Sequence, residues 1–452
     1  PCHDRAVLRR AFIDILGADA VLTEPEDTAP YCVDWSGRFR GTTAAVLRPS
    51  TTEQVAAVVA VCRRLGLGIT LQGGNTGLVG GSVPLGGEVV VSLRGLDRVG
   101  AVDDASGQVT VGAGVSLAAV HGVAAGAGWA YGVDFASRDR ATVGGMIATN
   151  AGGLRVLRHG DTRAQLLGVE AVLGDGTVVS HLGGLVKDNT GYHLPSLLCG
   201  SEGTLGIVTA ARLRLVPAAT HRTTVLLAFA TVDAALAAAQ DLRRHVRALD
   251  AAELMLAAGV DLVCQVAALP PPTDRPHAAY LLVEAADTFD PSVDLAAAIA
   301  ALPGVAEVVP GDASLWRYRE DHAAAVNTLG PPHKLDVTLP ADRLAAFLDE
   351  VPAVVARTLG PDARVWMWGH AADGNVHVNV TGVDPDDDRG DDAVLRLVAA
   401  MGGSISAEHG IGTAKRRWLH LNRSPAEIDA FRSIKRALDP DGILNPNVLL
   451  PA

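Results

Sequence analysis

The chain has 452 residues, of which 48% are hydrophobic and 19% charged, and its 49 glycines follow no three-residue period, so collagen, coiled coils and wholesale disorder are excluded. Acidic residues outnumber basic ones by 50 to 38, and the net charge of −12 disfavours nucleic acids and anionic membranes as partners. No apolar run approaches the roughly 20 residues of a membrane-spanning helix.

The cysteines are widely spaced and form no C-x-x-C pair, which predicts neither a disulfide framework nor an iron–sulfur site. We therefore expect a cytoplasmic protein. Because the sequence begins at Pro1 rather than Met, an upstream targeting segment and peripheral membrane association both stay open.

The first predicted helix lies between Pro49 and Gly66. Ser50 and Glu53 have the S-x-x-E spacing of a capping box. Apolar residues recur at helical spacing after them, at Val55, Val58, Val59 and Cys62. This pattern is typical of an amphipathic helix.

Short valine-rich runs predict strands at Leu67–Leu71, Glu88–Leu93 and Gln108–Val111. Further along, an Asp-Gly pair predicts a tight hairpin between Val169–Leu173 and Thr177–Ser180. Up to about residue 216 the chain therefore reads as glycine-dense α+β.

From Thr223 the composition changes to long segments rich in Ala, Leu and Val, which predicts a second domain of helices and strands. Asp384–Asp392 is strongly acidic, and its spacing does not match a calcium-binding loop, so we predict a solvated loop without chemistry.

Three glycine-rich segments, at 73–81, 142–153 and 200–207, could bring backbone N–H groups close to a phosphate. One such loop alone could equally be a flexible surface loop, but three favour an extended nucleotide cofactor. No lysine stands where a Walker A motif needs one, and a Rossmann-like Gly112-Ala113-Gly114 has Leu117 at its third glycine position.

A possible metal site follows at His370 and His377, in the pattern G-H-x-x-D-G-N-x-H-x-N. A turn at Asp373-Gly374 would bring the two histidines together on adjacent strands, with Asn379 on the face of His377. With Glu408 they would form a His₂Glu set that leaves a coordination position open. The alternative is that these are ordinary structural histidines.

Five strings in this order resemble the vanillyl-alcohol-oxidase-type (PCMH-type) FAD flavoproteins. They are QGGNTGLVGG (72–81), TVGGMIATNAGGLR (142–155), GSEGTLGIVT (200–209), GHAADGNVH (369–377) and AEHGIGTAK (407–415). The most similar branch contains D-2-hydroxyglutarate dehydrogenase, flavin-dependent D-lactate dehydrogenase and the glycolate oxidase D subunit. The resemblance extends from about Trp35 to Pro446.

The resemblance implies an α+β fold, with a two-subdomain FAD-binding domain at 1–216, an α+β cap (FAD-linked oxidase C-terminal) domain at 217–400, and a segment at 401–452 that returns to the FAD domain. FAD would be bound non-covalently, because Asn75 stands where covalent relatives carry a histidine. The implied cofactor-binding residues are Gly73, Gly74, Asn75, Thr76, Gly77, Gly80, Gly81, Thr142, Gly144, Gly145, Asn150, Gly152, Glu202, Gly203, Ile207 and Asn445.

The same resemblance implies that His370, His377 and Glu408 bind a divalent metal, commonly Zn²⁺, with Mn²⁺ or Co²⁺ as substitutes. The metal would stabilise the alkoxide of a 2-hydroxy acid while FAD takes a hydride from the same carbon. His409 would be the catalytic base or, alternatively, a residue that orients Glu408.

Arg319, Lys334 and Asn379 would bind the substrate, with the two cations directed at a distal carboxylate. Members of the branch that act on 2-hydroxyglutarate usually place a threonine four residues after the arginine, where this chain has Ala323. D-lactate or another 2-hydroxy acid therefore stays open as a substrate.

The leading hypothesis is an FAD- and metal-dependent dehydrogenase of D-2-hydroxy acids, with D-2-hydroxyglutarate as the best candidate. A D-lactate or broader D-2-hydroxy acid dehydrogenase is the alternative within this class. A metal-dependent hydrolase and a nucleotide-binding regulatory module are the alternatives outside it. Electrons would leave to an electron-transfer flavoprotein, a quinone or a dye, and a homodimer is possible.

Overall fold

The structure is a computed structural model that describes residues 5–451. Its α-helices, in chain order, are α1 (Arg5–Leu16), α2 (Pro25–Thr28), α3 (Thr52–Leu65), α4 (Leu117–Gly126), α5 (Val143–Thr149), α6 (Val156–His159), α7 (Thr162–Gln165), α8 (Leu194–Leu198), α9 (Val232–His245), α10 (Ala257–Ala267), α11 (Ser292–Ala300), α12 (Arg317–Glu320), α13 (His322–Asn327), α14 (Leu344–Leu359), α15 (Arg389–Ala400) and α16 (Pro425–Leu438).

Its β-strands are β1 (Val21–Leu22), β2 (Val46–Leu47), β3 (Ile69–Gln72), β4 (Val89–Ser92), β5 (Gln108–Gly112), β6 (Trp129–Ala130), β7 (Leu166–Val172), β8 (Val178–His181), β9 (Ile207–Arg214), β10 (Val216–Pro217), β11 (His221–Phe229), β12 (Leu249–Leu256), β13 (Ala279–Asp287), β14 (Val305–Gly311), β15 (His333–Thr338), β16 (Arg364–His370) and β17 (Asn375–Thr381).

The chain divides into two units, each built from separate stretches of sequence. Unit 1 comprises the residues up to Gly153, His159–Val216, and the residues from Glu408 onward. Unit 2 comprises Leu154–Arg158 and Pro217–Ala407. Both units mix helices with sheets, as expected for an α+β chain.

In unit 1, strands form one sheet in the order β1-β2-β4-β3 and another in the order β5-β9-β7-β8. Strands β3 and β4 run parallel, whereas the second sheet is antiparallel. The predicted hairpin is confirmed, since β7 and β8 pair with Val172 opposite Val178. Apolar residues of both sheets, including Ile69, Val111 and Ile207, are buried in one core.

Helix α3 confirms the predicted amphipathic helix but not its predicted cap. Thr51 is the N-cap residue, because its backbone is extended and its side chain accepts a hydrogen bond from the Gln54 amide. The Ser50 amide and hydroxyl instead donate to the side-chain oxygen of Gln54. The predicted capping box of Ser50 and Glu53 is therefore wrong: the cap is the last extended residue before the helix.

In unit 2, the strands form an antiparallel sheet in the order β14-β11-β13-β12-β16-β17-β15. Side chains alternate between its two faces. On β17, Val376, Val378 and Val380 are buried, and helices α14 and α15 lie against the neighbouring strands β16 and β15. The intervening residues, which are polar, belong to the other face.

The acidic stretch Asp384–Asp392 is only partly the solvated loop that we predicted. Helix α15 begins inside it, at Arg389. Asp391 is buried, and its carboxylate lies 2.9 Å from Nδ1 of the buried His333. Local composition indicates exposure, but it does not reveal that a histidine on β15 partners one of the aspartates.

None of the helices within residues 5–451 combines the length and the apolar character needed to cross a bilayer.

Candidate functional site

The glycine-rich loop that follows β3 packs closely against residues 140–142 of unit 1. A Cβ atom at Gly74 would collide with the Arg140 carbonyl oxygen, and one at Gly73 would collide with the Thr142 hydroxyl. These glycines are therefore required by packing within the protein.

Gly77 requires a different explanation. It is exposed, its φ angle lies outside the left-handed region, and none of the described atoms lies within 4 Å of the position where its Cβ would stand. Neither packing nor backbone conformation therefore calls for glycine here. The open position at Gly77 would let a ligand approach the backbone, as we predict for a phosphate-binding loop.

Thr142 presents a polar atom towards the same loop. Its hydroxyl oxygen is buried and has no hydrogen-bond partner among residues 5–451. Leaving a buried hydroxyl unpaired costs on the order of 1–3 kcal/mol, so a bound group that pairs with it would be stabilised. Gly144 and Gly145 follow directly, at the start of α5.

Several predicted cofactor-binding residues have left-handed backbones although they are not glycines. They are Asn75, Asn150, Glu202 and Asn445, with φ between 42° and 54°. Such conformations cost energy and are concentrated at functional sites. They mark the turns that shape this part of unit 1.

The side chains of these residues bind other parts of the protein. Asn75 donates to the Val33 carbonyl (2.8 Å) and accepts from the Ser82 hydroxyl (2.9 Å). Asn445 accepts from the Leu71 amide (2.9 Å) and donates to the Glu202 carbonyl. We therefore expect their part in cofactor binding to be the shaping of the loops rather than direct side-chain contact.

Asn150 is the left-handed residue that ends α5. Its side-chain amide also binds the protein: it donates to Asp161 (2.7 Å) and accepts from the Arg163 backbone amide (2.9 Å). The remaining predicted cofactor-binding residues also belong to unit 1: Thr76, Gly80, Gly81, Gly152, Gly203 and Ile207.

Glu202 holds the loop that carries Glu408 and His409. Its two carboxylate oxygens accept hydrogen bonds from the amides of Ile411 (2.8 Å) and Gly412 (2.7 Å). Burial raises the pKa of Glu202, although these two N–H groups and the charge of Lys415 act against the rise. The side chain predicted to line the cofactor is thus a clamp on a neighbouring loop.

Glu408 and His409 are both half-buried in unit 1. One carboxylate oxygen of Glu408 accepts a hydrogen bond from the Gly153 amide at 2.7 Å. Glu202 therefore holds the main chain that follows the pair, and the Gly153 amide holds the Glu408 side chain.

In unit 2, the predicted histidines meet on the β16–β17 hairpin. His370 lies opposite Asn375 and Trp368 lies opposite His377, so both imidazoles are on one face. Their ring centroids are 5.5 Å apart, and the two ring planes are nearly perpendicular, at 79°. Two imidazoles that bind one tetrahedral ion through bonds of about 2 Å have centroids about 5 Å apart, so the pair fits a shared metal.

Two buried carboxylates that sequence reasoning missed orient these rings. Glu253 on β12 lies 2.6 Å from Nδ1 of His370, and Asp336 on β15 lies 3.2 Å from Nδ1 of His377. Each carboxylate stands between two apolar residues of its strand, Glu253 between Ala252 and Leu254 and Asp336 between Leu335 and Val337, which was the available signal in the sequence. With Nδ1 donating to a carboxylate, the lone pair of each ring is on Nε2, the arrangement typical of histidines that bind metals.

The pKa values of these groups follow from burial and charge. Burial acts to raise the pKa of Glu253, but the charges of His370 and Arg319 outweigh it, and the pKa is lowered. Burial lowers the pKa of His377 despite the opposing effect of Asp336. Metal binding requires a neutral imidazole, so this shift suits a ligand.

The predicted substrate-binding residues belong to the same unit but have different surroundings. Arg319 is buried, and its Nε donates to Glu253 at 2.7 Å. Lys334 is half-buried, donates to the Asn327 side chain at 3.0 Å, and has its pKa lowered to about 8 by burial. Asn379 lies directly opposite Lys334 in the β15–β17 ladder.

Two family models match the chain. One, described as an FAD binding domain, matches residues 43–181, and the other, described as the C-terminal domain of FAD linked oxidases, matches residues 218–449. The D-2-hydroxyglutarate dehydrogenase of Xanthomonas citri pv. viticola is 37% identical over 94% of this chain and 93% of its own length. The mitochondrial D-2-hydroxyglutarate dehydrogenase of Bos taurus is 37% identical over 95% of this chain and 81% of its own.

Among solved structures, p-cresol methylhydroxylase with bound substrate superimposes with a TM-score of 0.78 at 18% identity, over 98% of this chain and 96% of its own. At that identity the likeness shows the fold alone. Together with the family models, it confirms the predicted PCMH-type FAD-binding fold with an FAD-linked oxidase C-terminal domain.

Gly77→Ala should weaken FAD binding while leaving the stability of the protein unchanged. The added methyl group meets no described protein atom, so only a group that approaches the backbone would be displaced. Gly122→Ala is the matched control, because its Cβ position is equally open and it lies in α4. FAD dissociation constants and melting temperatures of the two apoproteins give the comparison, and equal FAD affinity would contradict the assignment of Gly77.

Glu202→Gln should loosen the 408–412 loop, because an amide offers one acceptor to two N–H donors. Faster hydrogen exchange of the Ile411 and Gly412 amides would report the loosening directly. We expect turnover to fall by up to about 10²-fold, the effect of misplacing catalytic groups by about 1 Å. Glu88→Gln removes a buried carboxylate that also accepts a backbone amide, and it should not affect turnover. Unchanged exchange in Glu202→Gln would exclude the clamp.

Proposed function

The chain belongs to the FAD-linked oxidase family, and we propose that it oxidises a D-2-hydroxy acid, with D-2-hydroxyglutarate as the best candidate, to the corresponding 2-oxo acid. When bound, FAD supplies a two-electron acceptor that takes a hydride from the substrate carbon. The observation that supports the proposal best is the pair of carboxylate-anchored histidines in unit 2, in a chain whose unit 1 carries the FAD-binding motifs.

His370 and His377 would bind a divalent metal, with Zn²⁺ the leading candidate and Mn²⁺ or Co²⁺ as alternatives. Glu408 would be the third ligand. Ala407 donates its amide to the Asp336 carbonyl at 3.2 Å, Asp336 lies opposite His377, and Glu408 is the next residue in the chain. When bound, the metal supplies Lewis-acid stabilisation of negative charge on the substrate hydroxyl oxygen.

His409 would accept the hydroxyl proton at a ring nitrogen, since a neutral imidazole is basic near pH 7. Its alternative role is to orient Glu408, its neighbour in the chain. A metal-dependent hydrolase could use the same His₂Glu set, but the curated relatives at 37% identity are dehydrogenases, which favours oxidation.

Lys334 is the residue on which we expect dicarboxylate specificity to depend. Arg319 donates to Glu253, whereas Lys334 is half-buried on β15 and lies opposite Asn379 in the β15–β17 ladder that also holds His377. A protonated Lys334 would therefore bind the distal carboxylate of 2-hydroxyglutarate, and Asn379 opposite it would contribute an amide. Ala323, in place of the branch's threonine, is the feature that favours D-lactate as the alternative substrate.

The electrons would leave reduced FAD for an external acceptor, either an electron-transfer flavoprotein, a quinone or a dye. A homodimer also stays a proposal.

Anaerobic mixing of the FAD-loaded protein with a panel of D-2-hydroxy acids should bleach the flavin absorbance, with D-2-hydroxyglutarate reacting fastest. The L-enantiomers are the controls. Repeating the experiment after verified metal removal by a chelator should slow the bleaching. A flavin that no member of the panel reduces would refute the function, and an unchanged rate after metal removal would refute the role of the metal.

Lys334→Ala should raise KM for D-2-hydroxyglutarate about 10- to 100-fold, the effect of losing a hydrogen bond to a charged group, and leave KM for D-lactate unchanged. Lys334 is charged below its pKa of about 8, so kcat/KM for D-2-hydroxyglutarate in the unsubstituted protein should fall as pH rises through 8. With D-lactate as the substrate, kcat/KM should not show this fall as pH rises through 8. Lys187→Ala, at an exposed position, is the control. Equal losses of kcat/KM with both substrates in Lys334→Ala would exclude a role of Lys334 in specificity.

A further inference from the structure

We propose that Glu253 is a positioning residue that joins a metal ligand to a substrate-binding cation. One of its carboxylate oxygens would set the tautomer of His370, and the other would hold Arg319 in place. This inference rests on the proposed metal site at His370 and His377. It assigns Glu253 and Arg319 roles that follow from their contacts within unit 2.

Glu253 lies in the interior of the unit 2 sheet, on β12, directly opposite His370 on β16. Its side chain is 1% exposed, and those of His370 and Arg319 are each 8% exposed. Oε1 lies 2.6 Å from Nδ1 of His370, and Oε2 lies 2.7 Å from Nε of Arg319. Each oxygen of one buried carboxylate therefore has its own donor.

The charges of this trio make its arrangement stable. A carboxylate buried alone in an apolar sheet is strongly unfavourable, and a cation such as Arg319 compensates its charge. An ionised carboxylate can only accept hydrogen bonds, so Nδ1 of His370 must carry the proton. The lone pair of His370 is then on Nε2, the nitrogen that would bind the ion.

His377 also has a buried carboxylate beside its Nδ1, but the second hydrogen-bond partner of that carboxylate is different. Asp336 lies against Nδ1 of His377, and it also accepts from the Asn375 side chain at 2.8 Å. On the His370 side of the pair, the anchoring carboxylate also binds Arg319. Metal binding through His370 and the placement of Arg319 thus depend on the same anion.

Glu253→Gln tests this sharing because glutamine has one acceptor and one donor group where glutamate has two acceptors. Arg319 cannot release its proton, so the amide oxygen should turn to Arg319 and the NH₂ group to His370. The NH₂ group requires a lone pair on Nδ1, which moves the ring proton of His370 to Nε2. That tautomer cannot bind a metal through Nε2.

Zn²⁺ affinity of the FAD-loaded full chain, measured by competition with a chromophoric chelator, should fall about 10- to 100-fold in Glu253→Gln. Asp391→Asn is the matched control, because it alters another buried carboxylate–histidine pair of unit 2, the one at His333. The Zn²⁺ affinity of this variant should stay within about twofold of that of the unsubstituted protein. Flavin absorbance and melting temperature verify that each variant is folded.

The double variant Glu253→Gln/Arg319→Met should regain Zn²⁺ affinity close to that of the unsubstituted protein. Without the arginine, the amide oxygen is released to accept from Nδ1 of His370. If the single variant does not fold, the double variant alone carries the test, with the same expected affinity. Unchanged affinity in the single variant, or lasting weak affinity in the double variant, would overturn the proposal. Absence of Zn²⁺ binding by the unsubstituted protein would instead refute the proposed metal site.

Discussion

Burying a carboxylate in an apolar interior is the constraint on which this protein's site depends. An ionised carboxylate there is tolerated only when charged or hydrogen-bonding partners surround it. Glu202 finds its partners in the amides of the 411–412 turn, and Glu253 finds them in His370 and Arg319. The requirement to satisfy the oxygen atoms of each buried carboxylate therefore also holds a loop or a ring in one position.

In unit 1, unfavourable backbone conformations are stabilised by hydrogen bonds, just as the buried carboxylates are in unit 2. The left-handed turns at Asn75, Asn150 and Asn445 are unfavourable on their own, at about 1–3 kcal/mol each. Side-chain hydrogen bonds of the same residues to other parts of unit 1 stabilise them. Among these loops, the open position at Gly77 and the unpaired Thr142 hydroxyl are where we expect a ligand to interact. A cofactor that binds largely through its phosphates needs such a preformed backbone.

Much of the local structure could be predicted from the sequence. The α3 helix and the β7–β8 hairpin follow from periodicity and from an Asp-Gly turn, both of which depend on near neighbours. The cap of α3 was predicted one residue early, because Ser50 and Thr51 are both good caps and only the path of the chain decides between them. Asp391 was predicted to be solvated for a similar reason, since its partner His333 is 58 residues away.

By itself the sequence determined the family, the FAD-binding motifs and the two histidines, because those signals are residue types at fixed spacings along the chain. Only the tertiary structure showed that Glu253 and Asp336 anchor the rings, that Arg319 shares Glu253 with His370, and that Glu202 clamps a loop more than 200 residues away. A lone carboxylate in an apolar strand indicates that a partner exists. Which partner it has is decided by strand register and packing, which bring together residues far apart in the chain.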